Sequence, residues 1–214
     1  MSAPRSRNDP RRAATRMALI EKAELLFAQY GVEGVSTRQI GAAIGSSNTN
    51  VVAYHFGSKD ALIVEVIRHR VPGLEARRAE LLAAARRASA NPPLGALIDA
   101  MLRPFFEQTD EHGRHTYVAF LSGLSRSGRW DIRTSLDSDY PVTRTLMEMI
   151  EAAIPAGARA FAGERIFIGL SMAFAALQAI DQAQRPATEA AAIFADALAM
   201  IEIALTAPGP GSKN

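Results

Sequence analysis

The sequence predicts an all-α protein, and three observations support this prediction. Between two polar ends, most of the 214 residues show apolar side chains at helical spacing. Alanine is abundant, and β-branched residues seldom alternate with polar ones. No Asn-Gly or Asp-Gly hairpin signal occurs. An apolar fraction of 48% allows a sizeable core, and the absence of cysteine excludes disulfides, thiolate zinc sites and cysteine nucleophiles.

Capping and breaking residues divide the chain into helices. Gly31 follows the first periodic stretch as a C-terminal cap, and Ser36 precedes Gln39 at the spacing of a capping box. Pro72 lies inside the fourth pattern and predicts a kink or break. The polar stretch 125–138 is expected to be a loop. The predicted helices lie at 12–30, 37–44, 48–55, 59–88 with the interruption at Pro72-Gly73, 94–108, 112–125, 139–154, 160–184 and 188–206.

Positive charge is concentrated at the N-terminus, where the first 16 residues hold five arginines and one acid. A basic end on a near-neutral body is typical of nucleic-acid binding, and a solubilising tail is the alternative. We expect a disordered basic arm at 1–11 and a disordered tail at 207–214. No signal peptide is indicated. The longest apolar stretch is shorter than the roughly 20 residues of a bilayer span, so we expect a cytoplasmic protein without a membrane partner.

The second and third predicted helices form a helix-turn-helix candidate. The third helix begins with Asn48, Thr49 and Asn50, whose side chains donate and accept the hydrogen bonds that read base edges. Capping the helix is the alternative role for any one of them. Tyr54 and His55, near the end of this helix, are placed to reach phosphates or a thymine methyl group. Core packing of Tyr54 and simple exposure of His55 are the alternatives.

These segments resemble a known family. Residues 19–45, LIEKAELLFAQYGVEGVSTRQIGAAIG, and residues 53–63, AYHFGSKDALI, are similar to the N-terminal domain of TetR-family transcriptional regulators. The turn from Gly45 to Val52 is one residue longer than the family pattern, and Ala53 replaces a common tyrosine. The resemblance implies a DNA-binding domain at 12–58 and a helical effector-binding and dimerisation domain at 59–206. The candidate DNA contacts are Thr37, Arg38, Asn48, Thr49, Asn50, Tyr54, His55 and Lys59.

The helices after residue 94 carry aromatic and methionine side chains with a few polar groups. This composition suits an adaptable apolar pocket for a small-molecule effector, and plain core packing is the alternative for each residue. The candidate ligand-binding residues are Met101, Phe105, Phe106, Gln108, His115, Tyr117, Phe120, Leu124, Met147 and Gln178.

The last two long helices are apolar nearly all round and rich in small residues, which implies a second packing surface. The resemblance implies that two copies pair these helices into a four-helix bundle. A two-fold dimer carries two recognition helices to half-sites about one DNA turn apart. The candidate dimer-interface residues are Met172, Ala175, Ala176, Ala179, Phe194, Leu198 and Ile201.

Other functional classes have weaker support in the sequence. It shows no Gly-rich phosphate loop, nucleophile elbow or metal-spaced triad, so an enzyme is not expected. His112 and His115 lack an obvious third ligand, so neither a metal nor another cofactor is predicted. The pair Arg77-Arg78 is interpreted as a solvated face. The predicted function is a repressor of a palindromic DNA operator, released by an apolar or amphipathic small molecule. A helical architectural DNA-binding protein without an effector is the alternative, against which the long helical body argues.

Overall fold

The computed structural model describes residues 10–136 and 140–208. The predicted arm and tail therefore lie mostly outside the described residues. Within them the all-α class is confirmed, because the regular structure is helical and contains no strand. The helices are α1 (Pro10–Tyr30), α2 (Thr37–Ala43), α3 (Val51–Phe56), α4 (Lys59–Ala88), α5 (Leu94–Glu107), α6 (Thr116–Arg126), α7 (Trp130–Thr134), α8 (Pro141–Ala153), α9 (Ala162–Ala183) and α10 (Ala187–Thr206), with a 3₁₀ helix at Ala156–Phe161 before α9.

Helices α1 to α3 form the head of the molecule. The predicted capping box is confirmed at α2, where the Gln39 N–H donates to Ser36 Oγ over 3.3 Å and the Ser36 N–H donates to Gln39 Oε1 over 2.8 Å. Gly41 is buried where α2 meets α3, and a Cβ at this position would lie 2.8 Å from Val51 Cγ1. The glycine therefore lets the two short helices approach closely enough to form a compact unit.

Helix α4 runs for 30 residues from the head into the rest of the chain, the body. The sequence predicted a kink or a break at Pro72-Gly73, and the break is wrong, because both residues lie within one continuous helix. The kink stays a prediction. Val71 and Leu74 flank Pro72 and Gly73 and are buried, and their packing stabilises the helical conformation of this segment. Pro72 and Arg68 are exposed, and the proline removes the N–H group that the Arg68 carbonyl would otherwise accept.

The stretch predicted as a loop at 125–138 contains a short helix, α7, which the polar composition did not indicate. Tertiary packing explains this difference, since the half-buried Trp130 packs edge-to-face on Phe167 of α9 with ring centroids 6.1 Å apart. Helix α6 also begins at Thr116 rather than at 112. The preceding turn is held by Asp110, whose Oδ1 accepts the backbone N–H groups of His112 and Arg114, each over 2.9 Å.

The body packs directly against the head. Helix α1 contacts α4 and α6, while α9 and α10 pack on each other and on α5. Phe27 of α1 stacks on Phe120 of α6 with ring centroids 5.9 Å apart, and both side chains are completely buried. One continuous apolar core therefore joins head and body.

Candidate DNA interface and effector cavity

The turn before α3 brings the candidate base-reading residues to the surface. Helix α3 begins at Val51, three residues later than predicted. Asn48 Oδ1 accepts the N–H of Asn50 over 2.9 Å, and the N–H of Asn48 donates to Ser46 Oγ over 3.2 Å. Asn48 therefore closes the turn before α3 and does not cap the helix, whose N-cap position is Asn50. Thr49 and Asn50 are exposed, and the Asn50 side chain makes no cap hydrogen bond.

The exposed side of α3 adjoins basic residues of α1. Tyr54 is 65% exposed, which excludes simple core packing, and the Arg12 guanidinium lies 5.5 Å from its ring centroid. His55 packs edge-to-face on Tyr54 at 5.0 Å. Burial and then the charges of Arg12 and Arg16 lower the pKa of His55 below 6.5. His55 is therefore neutral at pH 7 in the free protein.

The remaining head candidates lie at the starts of α2 and α4. Thr37 is half-buried and Arg38 exposed in the first turn of α2. Lys59 begins α4, with Nζ 5.9 Å from the Phe27 ring centroid. The site prediction omitted Arg16, which lies 5.0 Å from the Phe56 ring centroid and forms an ion pair with Glu65. The four-residue spacing of Arg12 and Arg16 was the available signal, since it places both on one helix face.

A cavity of about 380 Å³ lies in the body and is lined by residues of all the helices from α4 to α10. Three of the ten predicted ligand-binding residues line it: Met101, Phe105 and Met147. The prediction missed lining residues on α4, α7 and α9, because these helices meet α5 and α8 only in the tertiary structure. The further lining residues include Arg78, Ile98, Leu102, Leu121, Trp130, Arg133, Thr143, Arg144, Ile150, Ile166, Phe167, Leu170 and Phe174.

Arg78 is not on a solvated face, so that prediction is wrong. Its side chain is 2% exposed, and Nε donates to the Met101 carbonyl over 3.1 Å while Nη1 donates to Thr143 Oγ1 over 2.9 Å. The guanidinium carbon also lies 5.0 Å from the Phe105 ring centroid. Adjacent residues of a helix point about 100° apart, so Arg77 can face solvent while Arg78 faces the cavity.

The predicted pocket residues that do not line the cavity are part of the core or of polar junctions. Phe120 packs on Phe27, and Phe106 stacks on Phe194 with ring centroids 4.7 Å apart. Leu124 is completely buried.

Two polar candidates have buried atoms without a hydrogen-bond partner in the described structure, Tyr117 Oη and Gln108 Oε1. Burial raises the pKa of Tyr117 above its usual range, so its hydroxyl stays protonated. Gln178 donates to Ser122 Oγ over 2.9 Å and to the Phe174 carbonyl over 3.1 Å, beside a second pocket of about 220 Å³.

His115 joins three body helices. Its Nδ1 lies 2.7 Å from Asp181 Oδ1 of α9, and its Nε2 lies 3.1 Å from the Phe106 carbonyl of α5. The His115 backbone N–H also donates to Asp181 Oδ2 over 2.8 Å, at the N-terminus of α6. His115 therefore holds helices together and lies outside the cavity lining.

Two polar contacts connect the body to the head. Arg129, just before α7, forms ion pairs with Asp60 at the start of α4 and, at 3.5 Å, with Glu33 in the loop after α1. Deeper in the junction, the buried carboxylate of Glu24 in α1 accepts two hydrogen bonds from Arg70 of α4, over 2.6 and 2.7 Å. It accepts a third from Thr116 Oγ1 of α6 over 3.0 Å.

The predicted dimer residues divide between the surface and the core. Ala175 and Ala179 are exposed, and Met172, Ala176 and Leu198 are half-buried. Phe194 and Ile201 are buried within their own chain. Large apolar side chains that the prediction omitted are exposed on the same two helices: Phe167, Ile168, Met200 and Ile203.

The segment Ala156–Ala183 is long and apolar enough to cross a membrane if judged by length and composition alone. A single segment of this kind is weak evidence for a membrane span, because a helix that packs in a protein core or interface can have the same composition. Its apolar character is consistent with the exposed apolar face of α9.

Comparison with known proteins matches residues 19–66 to the family described as bacterial regulatory proteins, tetR family. Among solved structures, the chain is similar to multidrug binding protein EbrR complexed with imidazole, at 21% identity and a TM-score of 0.50, over 97% of this chain and 99% of that one. It is also similar to the TetR family transcriptional regulator PfmR from Thermus thermophilus, at 20% identity and a TM-score of 0.48, over 87% and 96% of the two chains. The curated proteins include no match.

Proposed function

We propose that this chain is a TetR-family transcriptional regulator, since residues 19–66 match that family, and that it is a homodimeric repressor that leaves its operator when a small apolar molecule binds. The observation that carries the proposal is the position of Arg129 and Trp130. Trp130 lines the cavity, whereas Arg129 forms ion pairs with Asp60 and Glu33 at the head. A molecule that fills the cavity therefore acts on a segment bonded directly to the DNA-binding domain.

We assign base recognition to the turn before α3. Thr49 and Asn50 are exposed and polar, and these residue types form hydrogen bonds with base edges in the major groove. Asn48 holds the turn through its side chain and so positions both of them. We assign phosphate contacts to the residues around this turn, because phosphate contacts fix the protein on DNA without reading its sequence. They are Thr37, Arg38, Tyr54, His55 and Lys59, together with Arg12 and Arg16.

We assign the dimer contact to the exposed faces of α9 and α10. Ile168 and Ile203 are 54% and 69% exposed, an unfavourable arrangement for an isolated chain in water. Ala175 and Ala179 lie on the same face of α9 as Ile168, by helical spacing, and their small side chains permit close approach. A second copy related by a two-fold axis covers this face with an identical one.

Light scattering tests this assembly. Ile203→Glu should give monomers with weakened operator binding, because it puts a charge at the centre of the contact while leaving the core intact. Phe194→Arg serves as the contrasting variant, since Phe194 is buried within its own chain and its replacement should disturb folding instead. A wild-type protein that stays monomeric at micromolar concentration would contradict the dimer.

The cavity acts on DNA binding through two connections. Helix α4 carries Arg78 in the cavity lining and Lys59 at the head, about 29 Å apart along one continuous helix. The Arg129 ion pairs provide the second connection. A ligand that shifts α4 and α7 would turn each head relative to the dimer contact and change the separation of the two recognition helices.

Selection of bound sites from random duplex DNA tests the function. We expect a palindrome whose half-sites are about one helical turn, roughly 34 Å, apart. Failure to enrich any motif would contradict sequence-specific binding. If the enriched site binds but no apolar small molecule weakens the complex, the architectural alternative is favoured.

A further inference from the structure

The cavity lining carries charge of one sign. Among the described residues that line it, Arg78, Arg133 and Arg144 are charged, and none is a carboxylate. Most of the remaining lining is apolar, with Thr134 and Thr143 as polar exceptions. A low-dielectric cleft lined by cations attracts an anion and repels a cation.

Arg78 provides a guanidinium group that is already removed from water. Hydrogen bonds to the Met101 carbonyl and to Thr143 Oγ1 occupy its Nε and Nη1. The Glu75 carboxylate is 3.7 Å from Nη1. Burial lowers the pKa of Arg78 to about 10, so the group is still cationic at neutral pH.

The Glu75 carboxylate neutralises the positive charge of Arg78 only in part, because both carboxylate oxygens also accept hydrogen bonds from the first turn of α8. They accept the backbone N–H groups of Val142 and Thr143 over 2.8 and 3.1 Å, and the hydroxyl of Thr143. A buried cation whose counter-charge is shared in this way has capacity for a further anionic partner.

The other two arginines continue the positive charge towards the surface. Arg133 is half-buried and lies 5.2 Å from the Tyr140 ring centroid. Arg144 is exposed on α8, and no carboxylate of the described residues lies within ion-pair distance of it. Burial therefore decreases from Arg78 through Arg133 to Arg144, so the positive charge of the lining extends from the interior of the cavity to the protein surface.

We propose that the effector is an apolar molecule with one anionic group, a carboxylate or sulfonate, and that the arginines of the cavity bind this group. The inference rests on the proposed function, since it names the chemical class of the releasing molecule. The apolar body fills the space between α5, α8 and α9. An uncharged molecule of the same shape binds more weakly because it does not interact with the buried cation.

Two dyes with the same aromatic body test the charge requirement. 8-Anilinonaphthalene-1-sulfonate carries a sulfonate, and N-phenyl-1-naphthylamine lacks it. Trp130 is the single tryptophan of the chain and lines both the cavity and the second pocket, so quenching of its fluorescence reports binding in either without DNA. Arg144 lines the cavity and not the second pocket, so a variant at Arg144 distinguishes the two. We expect the sulfonate dye to bind about tenfold more tightly than the neutral dye. Equal affinities, or tighter binding of the neutral dye, would overturn the inference.

A matched pair of arginine variants tests whether the preference for the sulfonate dye over the neutral dye arises in the cavity. Arg144→Gln removes an exposed cation of the lining and should weaken the sulfonate dye severalfold while leaving the neutral dye unchanged. Arg87→Gln removes an exposed cation of α4 outside the lining and should change neither affinity. If both variants weaken the sulfonate dye equally, general surface charge explains the preference and the inference fails.

Operator release, measured on the same preparations with the selected site, separates this inference from the proposed function. Release by the neutral dye as readily as by the sulfonate dye refutes the anionic class and leaves the repressor mechanism standing. Charge-selective binding to the cavity without release supports the ligand class and contradicts the mechanism. If neither dye binds in the cavity, the result contradicts both the anionic ligand class and the proposed release mechanism.

Discussion

Replacement of Arg70 by methionine tests whether the buried junction of α1, α4 and α6 holds head and body together. The Glu24 carboxylate is 1% exposed and receives two hydrogen bonds from Arg70 and one from Thr116. Arg70→Met leaves this carboxylate buried with the threonine hydroxyl as its remaining partner. Methionine keeps much of the arginine side-chain volume, so the variant reports mainly on the lost charge and hydrogen bonds.

The expected loss of stability is about 3 kcal/mol. Removing one partner of a buried ion pair typically costs about 3–5 kcal/mol, because an uncompensated charge remains in the core. The Arg70 side chain is 26% exposed, which lets water reach the site in part and favours the lower end. Replacing both partners, as Glu24→Leu with Arg70→Met, should restore stability to within about 1 kcal/mol of wild type, because no charge is then left buried.

Urea unfolding at fixed protein concentration measures these differences and keeps any contribution from dimerisation constant. Arg77→Met is the matched control, since Arg77 also makes a two-bond contact from α4 to a glutamate, Glu107, but at an exposed position. Solvent screens that pair, and stability should stay close to wild type. A cost below about 1 kcal/mol for Arg70→Met, or a double variant as unstable as the sum of its single changes, would refute the reasoning.

Three further predictions concern DNA binding. Arg129→Gln should weaken operator affinity severalfold without the dye, because it removes the ion pairs that the ligand breaks, and should reduce the further loss that the dye causes in a competition assay, whereas Arg185→Gln, which removes the exposed Glu189 ion pair, should change neither. Operator affinity should rise as the pH falls towards the lowered pKa of His55 in the free protein, because a nearby phosphate raises this pKa in the complex, which then binds more protons. His55→Gln should abolish this dependence in anisotropy titrations. Asn50→Ala should weaken the free energy of binding to the selected site by about 1–3 kcal/mol and change binding to unrelated DNA little. Equal losses on both DNAs would show that Asn50 does not read bases.

Helix ends were predictable because each depends on residues that are close in the sequence. The Ser36 capping box forms as predicted, and the Ser58 hydroxyl accepts the N–H of Ala61 over 3.0 Å at the start of α4. Gly31 follows α1 with a φ of 75°, which glycine adopts without strain. The start of α3 was placed too early because Asn48 caps a turn before the helix instead of its first residue.

The position of the cavity was not predictable by the same reasoning. Helical periodicity indicates that a side chain is buried but does not identify its neighbours. Phe105 and Phe120 have equivalent apolar settings in the sequence, yet Phe105 lines the cavity and Phe120 packs on the head. Arg78 was misassigned for a related reason, because its partner Thr143 lies 65 residues away in the sequence.

The two polar links between body and head differ in a way that bears on how a ligand releases DNA. The Glu24 contacts are buried, so breaking them would cost more than the roughly 1–3 kcal/mol that couples most effector and target sites. The Arg129 ion pairs are partly exposed, and pairs of this kind contribute only about 0–1 kcal/mol. Ligand binding can therefore break the Arg129 contacts while the Glu24 junction stays intact. On the proposed mechanism the head then turns about the junction of α1, α4 and α6, and loss of the Arg129 ion pairs favours the position that releases DNA.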